Sequence, residues 1–205
     1  MFIYLNKINS MYKCIKCGGE SSFENGLCKK CYAEKKIQED RSWLTDKEHN
    51  YHYNMIKGRI AETLIQELFL SLNFNVFRYG MENVIPWIME LLHAIKGDVA
   101  QDIRRMPDFV IHNPKTNSVY FVEVKFRASE KFSISDLEKD YPYINAYFIV
   151  VSKKHIKCLT YEELKNGKEI SPTSKNYLGN RKEFDLDKEV IIEFCEFAVK
   201  FFECV

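Results

Sequence analysis

The segment FVEVKFR, Phe121 to Arg127, has the alternating apolar character of a strand, yet it carries an acid, Glu123, and a base, Lys125, two residues apart. Residues i and i+2 of a strand share a face, so the carboxylate and the ammonium stand side by side. The segment MPDF places Asp108 at the start of an earlier apolar run, DFVIHN. The turn PKTN joins that run to SVYFVEVKF. In such a hairpin the start of one strand lies opposite the end of the other, which brings Asp108 to face Glu123 at a backbone separation of roughly 5.5 Å. Two facing carboxylates repel unless a cation lies between them, and Mg²⁺ favours one or two carboxylates plus waters. Lys125 stands about 6.6 Å further along the same face, where it can hold or deprotonate an attacking water. Upstream, GRIAE puts Gly58 and Glu62 four residues apart on one helical face. Glu62 can add to the same cluster, and a glycine inside a helix suggests that a strand or a nucleic-acid backbone approaches there. A nucleophilic water, a Lewis acid and a positive group near phosphoryl oxygens are the parts of phosphodiester hydrolysis. Taken alone, Glu123 and Lys125 also fit an exposed ion pair on an edge strand.

A second constellation lies near the N-terminus. Cys14 and Cys17 form one CxxC and Cys28 and Cys31 another, with ten residues between the pairs. Two such knuckles supply the four soft ligands of a structural, tetrahedral zinc site with no open position for catalysis. A redox CxxC is a poorer fit, because that motif comes singly before a helix in a βαβ setting. Gly18, Gly19 and Gly26 suit the tight turns of the knuckles. GLCKKCYAEKK looks like a treble-clef finger whose second knuckle opens a helix; a zinc ribbon is the alternative. Lys13, Lys16, Lys29, Lys30, Lys35 and Lys36 make this end locally basic, which favours nucleic acid over protein as its partner.

These residues need elements to hold them. Ile56, Ile60, Leu64, Leu68 and Leu72 recur every four residues, which predicts an amphipathic helix over Asn54 to Leu72, ended by Asn73. FNVFRYG reads as a first strand. Val84–Ile95 and Asp98–Arg105 read as helices, and Ser135–Lys139 as the start of another. NAYFIVVS is the continuous apolar run of a strand buried on both faces. His155–Thr160 is a further strand, Thr160 caps the helix YEEL, and Lys188–Phe202 is a final amphipathic helix. The fold class expected is α/β: a mixed central sheet flanked by helices, with a small zinc-stapled N-terminal module. The expected organisation is a zinc module over 1–35, a charged helical connector over 36–50 and a main domain over 51–205.

The order GRIAE, MPDF, VEVKF, with a helix before a hairpin, resembles the PD-(D/E)XK nucleases, the restriction-endonuclease-like superfamily, over Asn54 to Ser152. The resemblance implies that Asp108 and Glu123 ligate Mg²⁺ or Mn²⁺, that the Val124 carbonyl completes the coordination, that Lys125 positions the attacking water, and that Glu62 is the helix acid. It implies a metal-dependent nuclease, DNA being favoured over RNA as substrate and endonucleolytic cutting over exonucleolytic. SISDLEKDYPY offers Tyr141 without the Gln that accompanies it in exonucleases resembling the RecB nuclease domain. The compact core is also similar to Holliday-junction resolvases, which act as dimers, and to Mrr-like enzymes. A non-catalytic nucleic-acid-binding module on the same fold is the alternative outside enzymes.

The chain of 205 residues has a net charge of +1, so any polyanion site is a local patch rather than a global field. Arg59, Arg104, Arg105 and Arg127 are the candidate phosphate contacts, each weighed against plain solvated charge. His93, His112 and His155 lack the spacing of a triad or a metal site. Cys158, Cys195 and Cys204 read as inert thiols in apolar segments. The Phe-rich C-terminal helix reads as core, or as a dimer face if part of its stripe is exposed, so a homodimer is a candidate assembly. No apolar run approaches about 18 residues, MFIYLNKINS is too polar for a signal core, and seven cysteines do not suit a disulfide framework. The expected location is intracellular, cytoplasmic or nucleoid-associated, with no membrane partner.

Overall fold

A computed structural model describes residues 12–21, 26–39, 44–80 and 97–203. The chain divides into two compact units, Met1–His52 and Tyr53–Val205.

In the first unit, strands β1 (Tyr12–Lys13) and β2 (Glu20–Ser21) pair antiparallel, and helix α1 (Lys29–Glu39) follows. The turn between the strands carries Cys14 and Cys17. It closes through Gly18 N–H to Cys14 O (2.9 Å) and Cys14 N–H to Gly19 O (2.7 Å). Gly18 has φ 71°, the left-handed conformation that glycine takes without a Cβ penalty. Cys28 immediately precedes α1 and Cys31 lies in its first turn.

Helix α2 (Asp46–Ser71) begins earlier than the apolar periodicity predicts. Its start is a reciprocal cap: Thr45 N–H donates to Glu48 Oε2 (2.8 Å) and Glu48 N–H to Thr45 Oγ1 (3.3 Å). Its end is Asn73, held at φ 64°, with Phe74 N–H bonded back to Phe69 O (2.9 Å). The second unit is built on a five-stranded sheet in the order β3 (Asn75–Arg78), β4 (Phe109–Asn113), β5 (Ser118–Phe126), β6 (Ala146–Val151) and β7 (Ile156–Thr160). The β5–β6 pair is parallel and the other three are antiparallel, so the sheet is mixed. Helix α3 (Asp98–Arg104) precedes β4, and α4 (Tyr161–Lys165) follows β7, capped by Thr160 with Glu163. Helix α5 (Lys188–Glu203) closes the chain. The helix expected at Ser135–Lys139 is a single 3₁₀ turn, Ile134–Asp136. The helix expected over 84–95 and Cys204 lie outside the described residues.

Two cores sandwich the sheet. On one face Val122, Val124, Phe109 and Ile149 pack with Leu64, Leu68 and Phe69 of α2 and with Phe194, Ala198 and Phe202 of α5. On the other, Phe148, Val150 and Leu159 pack with Phe132, Tyr141, Leu164 and Ile170. Strand β6 serves both cores, which is why its sequence is continuously apolar. The pleat of β5 sends Val122 and Val124 to the first core, and Phe121, Glu123 and Lys125 to the second face.

Candidate metal centres and acid cluster

In the first unit, one ligand atom from each of Cys14, Cys17, Cys28 and Cys31 lies within 4.8 Å of all the others. Cys17 Sγ and Cys28 Sγ are 3.7 Å apart, close to the edge of a tetrahedron with zinc–sulfur bonds of about 2.3 Å. Cys14 and Cys31 are buried. Four thiols so placed could hold one zinc ion. Among the described residues this is the one group of three or more His, Cys, Asp or Glu side chains close enough to share an ion.

In the second unit, β4 and β5 register Phe109 with Val122, which sets Asp108 opposite Glu123 one residue further on. Two backbone bonds fix Asp108 there. Its carbonyl accepts from Tyr79 N–H (2.9 Å), prolonging the β3–β4 pairing. Its Oδ2 accepts from Val124 N–H (2.6 Å), so the carboxylate lies against β5. Asp108 is only 6% exposed. Burial pushes its pKa well above the ordinary aspartate value; the negative charges of Glu123 and Glu62 add to this, while Lys125 and the Val124 N–H oppose it.

Glu123 pairs with Lys125 through Oε1, and its other oxygen, Oε2, is buried without a hydrogen-bond partner. For Lys125, burial disfavours the ammonium, but the carboxylates of Glu123 and Asp108 outweigh it and raise the pKa above that of an ordinary lysine. Lys125 therefore stands as an ammonium at neutral pH and offsets the charge of Glu123. The Tyr141 hydroxyl is the other buried polar atom without a partner among the described residues. Burial first, then the charges of Glu123 and Asp108, raise its pKa, which keeps the phenol protonated. Its unpaired hydroxyl is not a property that residue type and spacing announce.

Glu62 acts on this site through charge: it contributes to the Asp108 shift but does not complete a three-carboxylate set. Gly58, expected to mark a close approach, has open space where its Cβ would point. Among the described residues, no strand packs there. Of the four candidate phosphate-contact arginines, Arg105 is committed internally: Nε meets Glu138 Oε2 (2.8 Å) and Nη2 meets Lys139 O (2.8 Å). Arg127 Nη1 bonds Phe126 O (3.2 Å), beside the end of β5. Arg59 lines a cleft between α2 and α5. Arg104 ends α3, two residues before Met106.

Around the Asp108–Glu123 pair lie a buried aspartate with a raised pKa, one ion pair from Glu123 to Lys125, and one buried carboxylate oxygen, Glu123 Oε2, without a hydrogen-bond partner among the described residues.

One further ionic group was not expected from the sequence. Glu130, in the left-handed conformation at φ 53°, accepts from Lys157 Nζ (2.9 Å) and Ser152 Oγ (3.0 Å), and its Oε1 lies 2.9 Å from His155 Nδ1. Lys157 also donates to Ser171 O (2.6 Å). Among the described residues no buried side-chain polar atom of this network lacks a partner, and the network ties the loop after β5 to β7.

Comparison with protein-family models, with curated proteins and with solved structures finds no match to this chain.

Proposed function

We propose that the second unit is a metal-dependent phosphodiester hydrolase of the PD-(D/E)XK, restriction-endonuclease-like kind, acting on nucleic acid and most naturally on DNA. The observation that carries this reading is the pairing of buried Asp108 with partly buried Glu123, in which, among the described residues, Glu123 Oε2 has no hydrogen-bond partner while Oε1 is ion-paired with Lys125. Asp108 and Glu123 would hold Mg²⁺ or Mn²⁺, with the Val124 carbonyl as the third group the resemblance implies. Such an ion acidifies a water and stabilises charge on the phosphoryl group. Lys125, held as an ammonium by Glu123, orients that water and meets the phosphoryl oxygens. Glu62 deepens the negative potential that draws a cation in. Arg127 and Arg104 are the candidates for phosphate contacts; Arg105, bonded to Glu138, Lys139 and Asp140, is a positioning residue for the segment around Glu138. The four-cysteine module, treble-clef-like in the way its second knuckle opens α1, would supply a basic grip on nucleic acid.

The test is cleavage of a panel of duplex, single-stranded and branched DNA and of RNA, with Mg²⁺ or Mn²⁺, by the wild type, Asp108→Ala and Lys125→Ala. The expected result is cleavage by wild type that falls about 100-fold or more in each variant. A wild type that cuts nothing, or variants that cut equally well, would contradict it. Cleavage confined to branched junctions would specify a resolvase.

A further inference from the structure

Helix α2 has an outward face whose sequence is palindromic in chemistry. Ile56, Arg59, Thr63, Glu67 and Leu70 fall within a narrow arc at 3.6 residues per turn, and all five are exposed. Ile56 is 54% exposed and Leu70 42%, although both are large aliphatic residues. About Thr63 the positions are symmetric: Arg59 and Glu67 lie four residues to either side, Ile56 and Leu70 seven. Beside this face lies an apolar cleft of about 570 Å³, whose other wall is Phe194, Phe197 and Phe201 of α5. Phe197 is 41% and Phe201 58% exposed.

In two antiparallel helices, facing residues have numbers that sum to a constant. Pairing α2 with a copy of itself about a two-fold axis at Thr63 therefore sets Ile56 on the partner's Leu70 and Arg59 on the partner's Glu67, each contact occurring twice. This is the self-complementarity an isologous two-fold interface requires. Among the described residues neither Arg59 nor Glu67 makes an ion pair within its own chain, so both charges are available. Unmatched hydrophobic surface of this kind marks an association site.

We propose that the outward face of α2, flanked by Phe197 and Phe201, is a homodimer interface in which α2 packs antiparallel on its copy about a two-fold axis at Thr63. The occupant is a second copy because the charge pattern is complementary to itself; a foreign amphipathic helix has no reason to match it. Arg59 is thereby an interface residue rather than a phosphate contact. The interface does not depend on the chemistry of the acid pair, so a failure of cleavage leaves it standing.

Sedimentation equilibrium over a concentration series tests this, with circular dichroism to establish that each variant is folded. Wild type is expected to be a dimer. Arg59→Glu and Glu67→Arg each place like charges opposite one another twice, and each is expected to weaken dimerisation about tenfold or more. The double variant Arg59→Glu/Glu67→Arg restores the matched pairs and is expected to regain dimerisation. Phe201→Glu is expected to be monomeric. A monomeric wild type at all concentrations would overturn the proposal. So would single reversals without effect, or a double variant no better than the singles; the last would mean a different packing or a different occupant.

Discussion

In the proposed reaction, Asp108 is the residue on which the chemistry turns. Its carboxyl is buried, faces Glu123 and is held by the Val124 N–H, and in the metal-free protein its pKa is raised. A raised folded-state pKa means that, above the ordinary aspartate value of about 3.9, the folded chain keeps a proton the unfolded chain has lost. Stability then falls as pH rises from that value through the raised pKa. Asp108→Asn removes the titrating group but keeps an oxygen to accept from Val124. The metal-free variant is expected to be more stable than wild type at neutral pH, with the difference shrinking towards pH 4. Thermal unfolding across pH in a chelator reads this directly; a variant less stable at neutral pH would show that the carboxylate contributes to the metal-free fold instead of straining it. Function at the expense of stability is what a preorganised site entails.

At the level of elements, α2 and the β4–β5 hairpin position the site. The hairpin was legible because its parts are local: PKTN is turn chemistry, and a hairpin register follows from the turn, so Asp108 and Glu123 could be placed from sequence. Glu62 was harder, because a helix acid reaches a sheet only through tertiary packing. That α2 runs unbroken from Asp46, instead of a helical connector ending near 50 and a separate helix from Asn54, was not legible because polar residues carry no periodicity, although the Thr45–Glu48 cap is itself a sequence signal. The Glu130–Lys157 network was invisible for another reason: its members lie 27 residues apart and meet only when the loop after β5 folds onto β7. Gly58 was read as a close approach, and the structure leaves that space open. Gly58→Ala is accordingly expected to raise stability by up to about 1 kcal/mol, the helix-propensity difference between the two residues. Urea denaturation measures it. A stabilised variant with impaired cleavage would assign the open space to substrate, while a destabilised one would show that the space is not free.

At the scale of the whole molecule, two units of different character share one chain. Among the described residues no helix is long and apolar enough to cross a membrane. The first unit is too small to rest on an apolar core alone, and the four cysteines supply the missing constraint if they bind zinc. Purified protein is expected to carry about one zinc per chain by elemental analysis, lost in Cys14→Ser and Cys31→Ser. Protein prepared without chelators that holds no zinc would contradict the four-cysteine assignment. If the proposed second site also binds metal, the two would answer to different ions: thiolates select zinc, whereas carboxylate oxygens select hard cations.

The central claim is that Asp108 and Glu123 together hold a divalent cation. Mn²⁺ binding followed by electron paramagnetic resonance tests it on zinc-loaded protein, independently of any substrate. One Mn²⁺ bound per chain in wild type, displaced by Mg²⁺ and lost in both Asp108→Asn and Glu123→Gln, is the expected result. Folded wild type that binds no Mn²⁺, or binds it as tightly after both substitutions, would contradict the claim.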